Sequence, residues 1–278
     1  MSTLLKRLIY QSPSLGVALG SGGARGLAHI GVLRVLEQSG HRVTHVAGSS
    51  MGALVGGFYA AGFSIAEIEA LALKTTWKQI RSLVFDPSLR RGLLRGHKIV
   101  NFLEEHLGDK TFADCTIPLA LAATDRLTGE LVTLRDGRLV DAIRASISIP
   151  VLFEPVLYQN RELTDGGVST PIPVAMAREL GAQVVIAVNL DSHYFDQTVT
   201  PSWLDLVNDA FNISRHHLAA LQAAQADVVL NIPADSNWYD FVNGAERINK
   251  GALAMQAALP EVQNALRIAR PWWQRWLV

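Results

Sequence analysis

Val46-Ala47-Gly48-Ser49-Ser50-Met51-Gly52-Ala53-Leu54-Val55 is a short apolar run, a G-x-S-x-G pentapeptide and a second apolar run. Strand, sharp turn and helix in that order form a nucleophile elbow. The backbone can reverse there only if the residues two before and two after the apex are small, and they are Gly48 and Gly52. Ser50 takes the apex, where its hydroxyl is expected to be exposed. It also opens the following helix, whose free N–H groups and dipole favour a developing anion. The pentapeptide alone does not decide the matter, because a tight turn needs small residues for packing as well.

Upstream, Leu15-Gly16-Val17-Ala18-Leu19 reads as a buried strand ended by glycines. Gly20-Ser21-Gly22-Gly23-Ala24-Arg25-Gly26 follows. Leu27 to Ser39 then has apolar positions at Leu27, Ile30, Leu33 and Leu36, a helical spacing closed by Gly40. With a strand at His45 to Ala47 this is a βαβ unit, which predicts two parallel strands. The glycine loop admits two functional readings. A dinucleotide fingerprint needs glycine at the sixth position from Gly20, where Arg25 stands, and an acid at the end of the second strand, where Ala47-Gly48 stands. An oxyanion hole needs only consecutive N–H groups aimed at a carbonyl oxygen. Both glycine turns follow strand C-termini at one edge of the sheet, which favours the oxyanion reading.

Downstream, Ser64 to Lys74 reads as a helix with Ser64 as N-cap and Glu67 in the capping-box position. Residues 75–96 lack periodicity and carry Arg90, Arg91 and Arg95, the composition of a solvated basic loop or of a lid. Helices are predicted at His97–Leu107, Leu139–Ser146, Pro171–Leu180, Trp203–Ala226 and Ala245–Arg270. Strands are predicted at Leu119–Thr124, Glu130–Leu134, Gln183–Leu190 and Asp227–Ile232, with a hairpin at Gln159-Asn160. After the hairpin comes Asp165-Gly166-Gly167, an acid on a tight turn.

Nearly half of the 278 residues are apolar and the formal net charge is zero, so a substantial core is available and nucleic acid is a poor partner. Cys115 stands alone, which excludes an internal disulfide framework and a cysteine-based metal site. The longest apolar stretch, from Gly52 to Phe63, is too short to cross a bilayer about 30 Å thick. The N-terminus lacks a signal-peptide pattern. No repeat or linker is visible, so one domain over residues 1–278 is expected, with a motif-bearing core at about 15–190 and further elements at 191–278. A cytoplasmic protein is the expectation, with peripheral contact to a membrane surface left open.

A serine hydroxyl needs a base, most often a histidine held by an acid. Ser50, Asp165 and His193 or His217 satisfy the chain order of an α/β-hydrolase triad, but that fold places several strands before its elbow and here there is one. Together, Gly22-Gly23-Ala24-Arg25-Gly26 running into Leu27-Ala28-His29-Ile30-Gly31-Val32-Leu33, Gly48-Ser49-Ser50-Met51-Gly52, Ala145-Ser146-Ile147-Ser148-Ile149-Pro150 and Asp165-Gly166-Gly167 resemble the patatin-like phospholipase family. The likeness is greatest to its bacterial group related to neuropathy target esterase. It implies an α/β class fold, a three-layer α/β/α sandwich with a mainly parallel central sheet. It implies hydrolysis of phospholipid or lysophospholipid esters by a histidine-free dyad, Ser50 as nucleophile and Asp165 as base. The loop of Gly22, Gly23, Ala24, Arg25 and Gly26 would supply the oxyanion hole, with Arg25 helping to fix it. No metal or cofactor is implied, and the partner is a lipid or lysolipid substrate. Ser21 departs from the family, which usually has glycine there. The competing readings are a nucleotide-dependent oxidoreductase, a triad esterase and a regulatory protein on the same scaffold.

The chain ends Arg270-Pro271-Trp272-Trp273-Gln274-Arg275-Trp276-Leu277-Val278. Trp272 and Trp276 would share a helix face, and Trp with Arg is the composition of interfacial segments. Packing back over the chain's own core is the favoured alternative. Deletion of residues 271–278 separates the two. A structural tail gives equal loss on anionic vesicles and on a soluble short-chain ester, with a lower melting temperature, whereas a lipid-contacting tail gives loss on vesicles alone.

Overall fold

The computed structural model describes residues 12–74, 94–191, 203–233, 241 and 243–271, with the backbone alone for 203–210. His193, most of the basic stretch 75–96 and the tail 272–278 lie outside them.

In chain order the elements are β1 (Leu15–Leu19), a 3₁₀ turn (Gly23–Leu27), α1 (Ala28–Gln38), β2 (Val43–Ser49), α2 (Met51–Ala60) and α3 (Ile65–Lys74). Next come α4 (His97–Leu107), β3 (Leu119–Asp125), β4 (Leu131–Leu134), α5 (Leu139–Ser146), β5 (Val156–Tyr158) and β6 (Arg161–Asp165). The last are α6 (Val174–Glu179), β7 (Val184–Asn189), α7 (Trp203–Ala223), β8 (Val228–Asn231) and α8 (Gly244–Ala269). Most of these follow the predicted spans within a few residues. Two differ for identifiable reasons. The helix predicted from Pro171 begins only at Val174, because Pro171 and Pro173 hold the residues before them out of the helical region. The helix predicted from Leu27 is preceded by the 3₁₀ turn, so the glycine loop is itself wound.

The strands form one mixed, 8-stranded sheet along the path β5-β6-β3-β2-β1-β7-β8, with β4 also on β3. It is parallel from β3 through β2, β1 and β7 to β8. At β3 the direction changes, and β4, β6 and β5 join antiparallel. The hairpin between β5 and β6 turns on Gln159 and Asn160, both at positive φ, the two-residue geometry that fits the twist of the strands.

Side chains alternate between two cores. Leu15, Val17 and Leu19 of β1, with Leu121 and Ile186, face one side and pack with α1, α2, α5 and α8. Ala18, Ala47, Ala120, Ala122 and Ala187 face the other, where α6 and the end of α7 lie on them. Helices therefore cover both faces, giving a three-layer α/β/α sandwich. Each fully buried Leu or Ile on the first face contributes about 1.5–3 kcal/mol of transfer free energy. The small residues of the second face let α6 sit close to the strands. Among the described residues no helix is long and apolar enough to cross a membrane.

Helices α1 and α8 cross with their backbones almost touching. A Cβ on Gly31 would lie 1.8 Å from the Ile248 carbonyl oxygen, and one on Gly251 would lie 1.9 Å from that of Ala28. Only hydrogen fits at either point. Gly31→Ala must push the helices apart, so it should cost about 1–3 kcal/mol or more and lower the denaturant midpoint by a matching amount. An unchanged midpoint would show that the crossing is looser than described.

Candidate active site

Three loops at the C-terminal ends of β1, β2 and β6 form the site. The elbow comes first. Ser50 has φ 55° and ψ −120°, a conformation that L-residues rarely adopt. It persists because β2 and α2 pack back to back around it. A Cβ on Gly52 would lie 2.0 Å from the Leu19 carbonyl oxygen, and one on Gly48 would lie 2.5 Å from that of Gly52. The two elbow glycines are thus required by contact with backbone, and the neighbouring strand adds to the demand of the turn.

Asp165 reaches Ser50 through the sheet. Ser49, the last residue of β2, is in register with Ala122, and Asp165, the last residue of β6, with Ala123. Since β4 occupies the other edge of β3 at these positions, β2 and β6 meet head to head along one edge. Ser50 Oγ donates to Asp165 Oδ2 at 2.6 Å, while Asp165 Oδ1 accepts from the Gly167 N–H at 2.7 Å. Gly166 passes so close to β3 that a Cβ would meet the Ala122 carbonyl oxygen at 2.3 Å. Asp-Gly-Gly therefore serves both the turn and the orientation of the carboxyl. Ser50 and Asp165 are each only 5% exposed, so the apex residue, expected to present its hydroxyl to solvent, is largely buried.

Burial pushes the Asp165 carboxyl up to about 6; the Ser50 hydroxyl, the Gly167 N–H and the charge of Arg215 pull the other way. Arg215, on α7, donates from Nη1 to Ser21 Oγ at 3.3 Å and from Nη2 to Asp191 Oδ1 at 3.0 Å. Ser21, the residue that departs from the family pattern, thereby links Arg215 to the loop, and Gly167 lies against its side chain.

In the glycine loop, the N–H groups of Gly22, Gly23 and Ala24 have no acceptor among the described residues, as befits the first residues of a 3₁₀ turn. The Arg25 N–H donates to the Gly22 carbonyl at 3.2 Å and is occupied. The Arg25 side chain is a brace: Nε donates to Gly22 O, Nη1 to Leu190 O, and Nη2 pairs with Asp191 at 3.2 Å. Gly26 touches the elbow, since a Cβ there would lie 2.3 Å from Met51 Cγ. His29 is fully buried and brought down to about 4 by burial, so its ring is neutral. Its Nε2 must carry the proton, because it lies 2.8 Å from the Gly20 carbonyl, which can only accept.

The triad alternative finds no support in these contacts. Among the described residues no histidine bonds to Ser50 or Asp165, and His216 Nδ1 lies 2.6 Å from the Asp191 carbonyl. The sequence alone gives Arg215 and Asp191 no role; both lie far along the chain, outside any recognisable functional motif. It also leaves Ser146 without one, although its Oγ accepts the Ser50 N–H at 3.0 Å.

Sheet, elbow and paired carboxyl define an α/β protein with a serine–aspartate pair beside a loop of free amides. Residues 17–178 match the profile of the Patatin-like phospholipase family, and the chain belongs to that family. An NTE family protein of Mycobacterium tuberculosis is 40% identical over 201 residues, 70% of this chain and 55% of that protein. Lysophospholipase NTE1 of Yarrowia lipolytica is 29% identical over 209 residues, 73% of this chain but 14% of the other. The chain thus spans about half the length of the mycobacterial relative and far less of the yeast one. VipD from Legionella pneumophila has a similar fold, with a TM-score of 0.53 at 15% identity over 90% of this chain and 67% of its own.

A raised carboxyl has a consequence for stability. An unfolded aspartate titrates near 3.8, the folded Asp165 near 6. Between those values the folded state holds a proton that the unfolded state has released, so stability falls as pH rises through this window and the full penalty applies above it. The difference amounts to about 3 kcal/mol. Asp165→Asn should therefore melt higher than the parent at pH 8, with the gap closing towards pH 4. A gap that is constant with pH, or of opposite sign, would show that the carboxyl is not raised.

Proposed function

We propose that the chain is a serine acyl-ester hydrolase acting on phospholipids or lysophospholipids, with Ser50 as nucleophile and Asp165 as its base. The observation that carries this reading is the 2.6 Å hydrogen bond from Ser50 Oγ to Asp165 Oδ2 inside a buried site. Ser50 Oγ attacks the ester carbonyl and its proton passes to Asp165. The tetrahedral oxyanion takes hydrogen bonds from the Gly22, Gly23 and Ala24 N–H groups, which need no reorganisation to receive it. Collapse expels the alkoxide, which Asp165 protonates, and water then releases the acyl group by the reverse sequence. An alcohol leaves more readily than an amine, so one carboxylate suffices for both proton transfers. Its raised pKa makes it a better base than an ordinary aspartate, yet still ionised at pH 7.

The substrate class rests on family membership and on the similarity to a protein named as a lysophospholipase. We read the whole chain as one hydrolase domain that meets its lipid from the cytoplasm at a membrane surface. A scaffold without catalysis is less consistent with a strained serine held on a carboxyl, an arrangement that costs stability and gives a merely structural protein nothing.

Wild type and Ser50→Ala, compared on a panel of lysophospholipids, phospholipids and p-nitrophenyl esters, test the reading. Turnover should vanish in Ser50→Ala with the fold retained, and kcat/KM of the wild type should fall below a pH of about 6 as Asp165 takes up its proton. His216→Ala and His217→Ala should stay within about tenfold of wild type, since losing a general base typically costs 10²–10⁴. Turnover surviving in Ser50→Ala would sink the mechanism, and a large loss at either histidine would revive the triad.

A further inference from the structure

The stretch Ala145-Ser146-Ile147-Ser148-Ile149 leaves α5 and runs between the elbow and β6. Ser146, fully buried, accepts the Ser50 N–H on Oγ at 3.0 Å. Two residues later the Ser148 carbonyl accepts the Asp165 N–H at 2.9 Å and the Thr164 hydroxyl at 2.7 Å. The segment that grips the serine's backbone therefore also grips the aspartate's. Ser148 is in turn fixed by Arg144, which donates from Nη1 to its Oγ at 2.5 Å and accepts from that Oγ on its own carbonyl at 2.7 Å. Arg144 Nη2 reaches the Arg95 carbonyl at 2.8 Å, and the guanidinium lies 5.1 Å from the centre of the Phe153 ring.

Sheet pairing alone does not complete the pair. Register on β3 brings the ends of β2 and β6 together, but Ser50 lies one residue beyond the last paired position of β2. At φ 55° it has left the strand, and its N–H donates to the Ser146 side chain rather than to a neighbouring strand. A buried N–H in a strained conformation relaxes unless something accepts from it. Ser146 supplies that acceptor. The Ser50 amide, being so occupied, is not an oxyanion donor.

We propose that Ser146 is a positioning residue: through the Ser50 amide, and together with the Ser148 carbonyl on the Asp165 amide, it holds nucleophile and base at reacting distance. This rests on the reading of Ser50 and Asp165 as the reacting groups. It predicts a loss confined to the chemical step, because Ser146 touches no substrate.

The test compares Ser146→Ala, Ser146→Cys and, as a control on the same helix, Ala142→Gly. Ala142 is fully buried on α5 and contacts neither Ser50 nor Asp165 by any hydrogen bond, so its replacement weakens the helix without touching the turn. Ser146→Ala should lower kcat by about 10–100-fold with KM within about twofold, the signature of misplaced reacting groups. Ser146→Cys, which keeps a weak acceptor, should recover part of the loss, and Ala142→Gly should lower the melting temperature while keeping kcat. Amide hydrogen exchange gives a readout free of turnover: the Ser50 N–H should be protected in the wild type and exposed in Ser146→Ala. Full kcat in Ser146→Ala, equal kcat losses in Ser146→Ala and Ala142→Gly, or a fast-exchanging Ser50 amide in the wild type would each overturn the proposal. An inactive wild type with a protected Ser50 amide would instead overturn the reading of the pair, since the contact would be present without the reaction.

Discussion

One edge of one strand carries the constraint on which the site depends. β3 accepts β2 along the first half of its free edge and β6 along the second, and the two approach from opposite ends. Neither can advance without displacing the other. The residue that ends β2 and the one that ends β6 are thereby fixed to adjacent positions, Ala122 and Ala123, whatever the loops between them do. Discrete registers bring the two strand ends together, and the Ser146–Ser148 segment, bonded to both backbones, completes the approach of Ser50 to Asp165, 115 apart in sequence and 2.6 Å apart in space.

This geometry has an electrostatic cost. A carboxyl wedged between two strand ends is shut off from water, and burial is the dominant influence on its protonation. The surroundings offset part of that cost with the Gly167 N–H, the Ser50 hydroxyl and the field of Arg215. They leave the rest, which keeps the carboxyl basic. The glycine loop is treated differently. Arg25 ties it to Leu190 and Asp191, and Gly26 presses on Met51, so the Gly22, Gly23 and Ala24 amides, without an acceptor among the described residues, stand on a braced loop. In the proposed reaction, preorganised donors and a destabilised carboxylate would be complementary devices: one waits for charge, the other is ready to take a proton.

Much of the layer order could be read from the residues. Glycine or proline stands at many of the turns, and Ser64 with Glu67 forms the predicted reciprocal cap, with Ser64 N donating to Glu67 Oε2 at 2.8 Å. The direction of β6 could not be read, because Arg161 to Asp165 has no pattern that distinguishes parallel from antiparallel pairing. Nor could the difference between the two sheet faces, since strands buried on both sides read as continuous apolar runs. Gly31 and Gly251 look like ordinary interruptions of a helix, and only the crossing explains them. Ser146 is the clearest case: its partner is the amide of Ser50, and backbone groups leave no mark on the residue types around them. Arg215 and Asp191 owe their relation to Ser21 and Asp165 to the docking of α7, which no local spacing encodes.

The position of β1 has a consequence for how the chain reaches this state. Its two neighbours, β2 and β7, come from segments some thirty and some 170 residues away, with Leu15 in register with Val43 on one side and Val184 on the other. During synthesis one edge of the central strand stays open until β7 emerges, long after the glycine loop and the elbow have been made. An unpaired apolar edge of that kind invites association with other chains. Nascent chains from which β7 has not yet emerged are then the species most exposed to association, and the final closure of β7 on β1 belongs among the slow, non-local steps of folding.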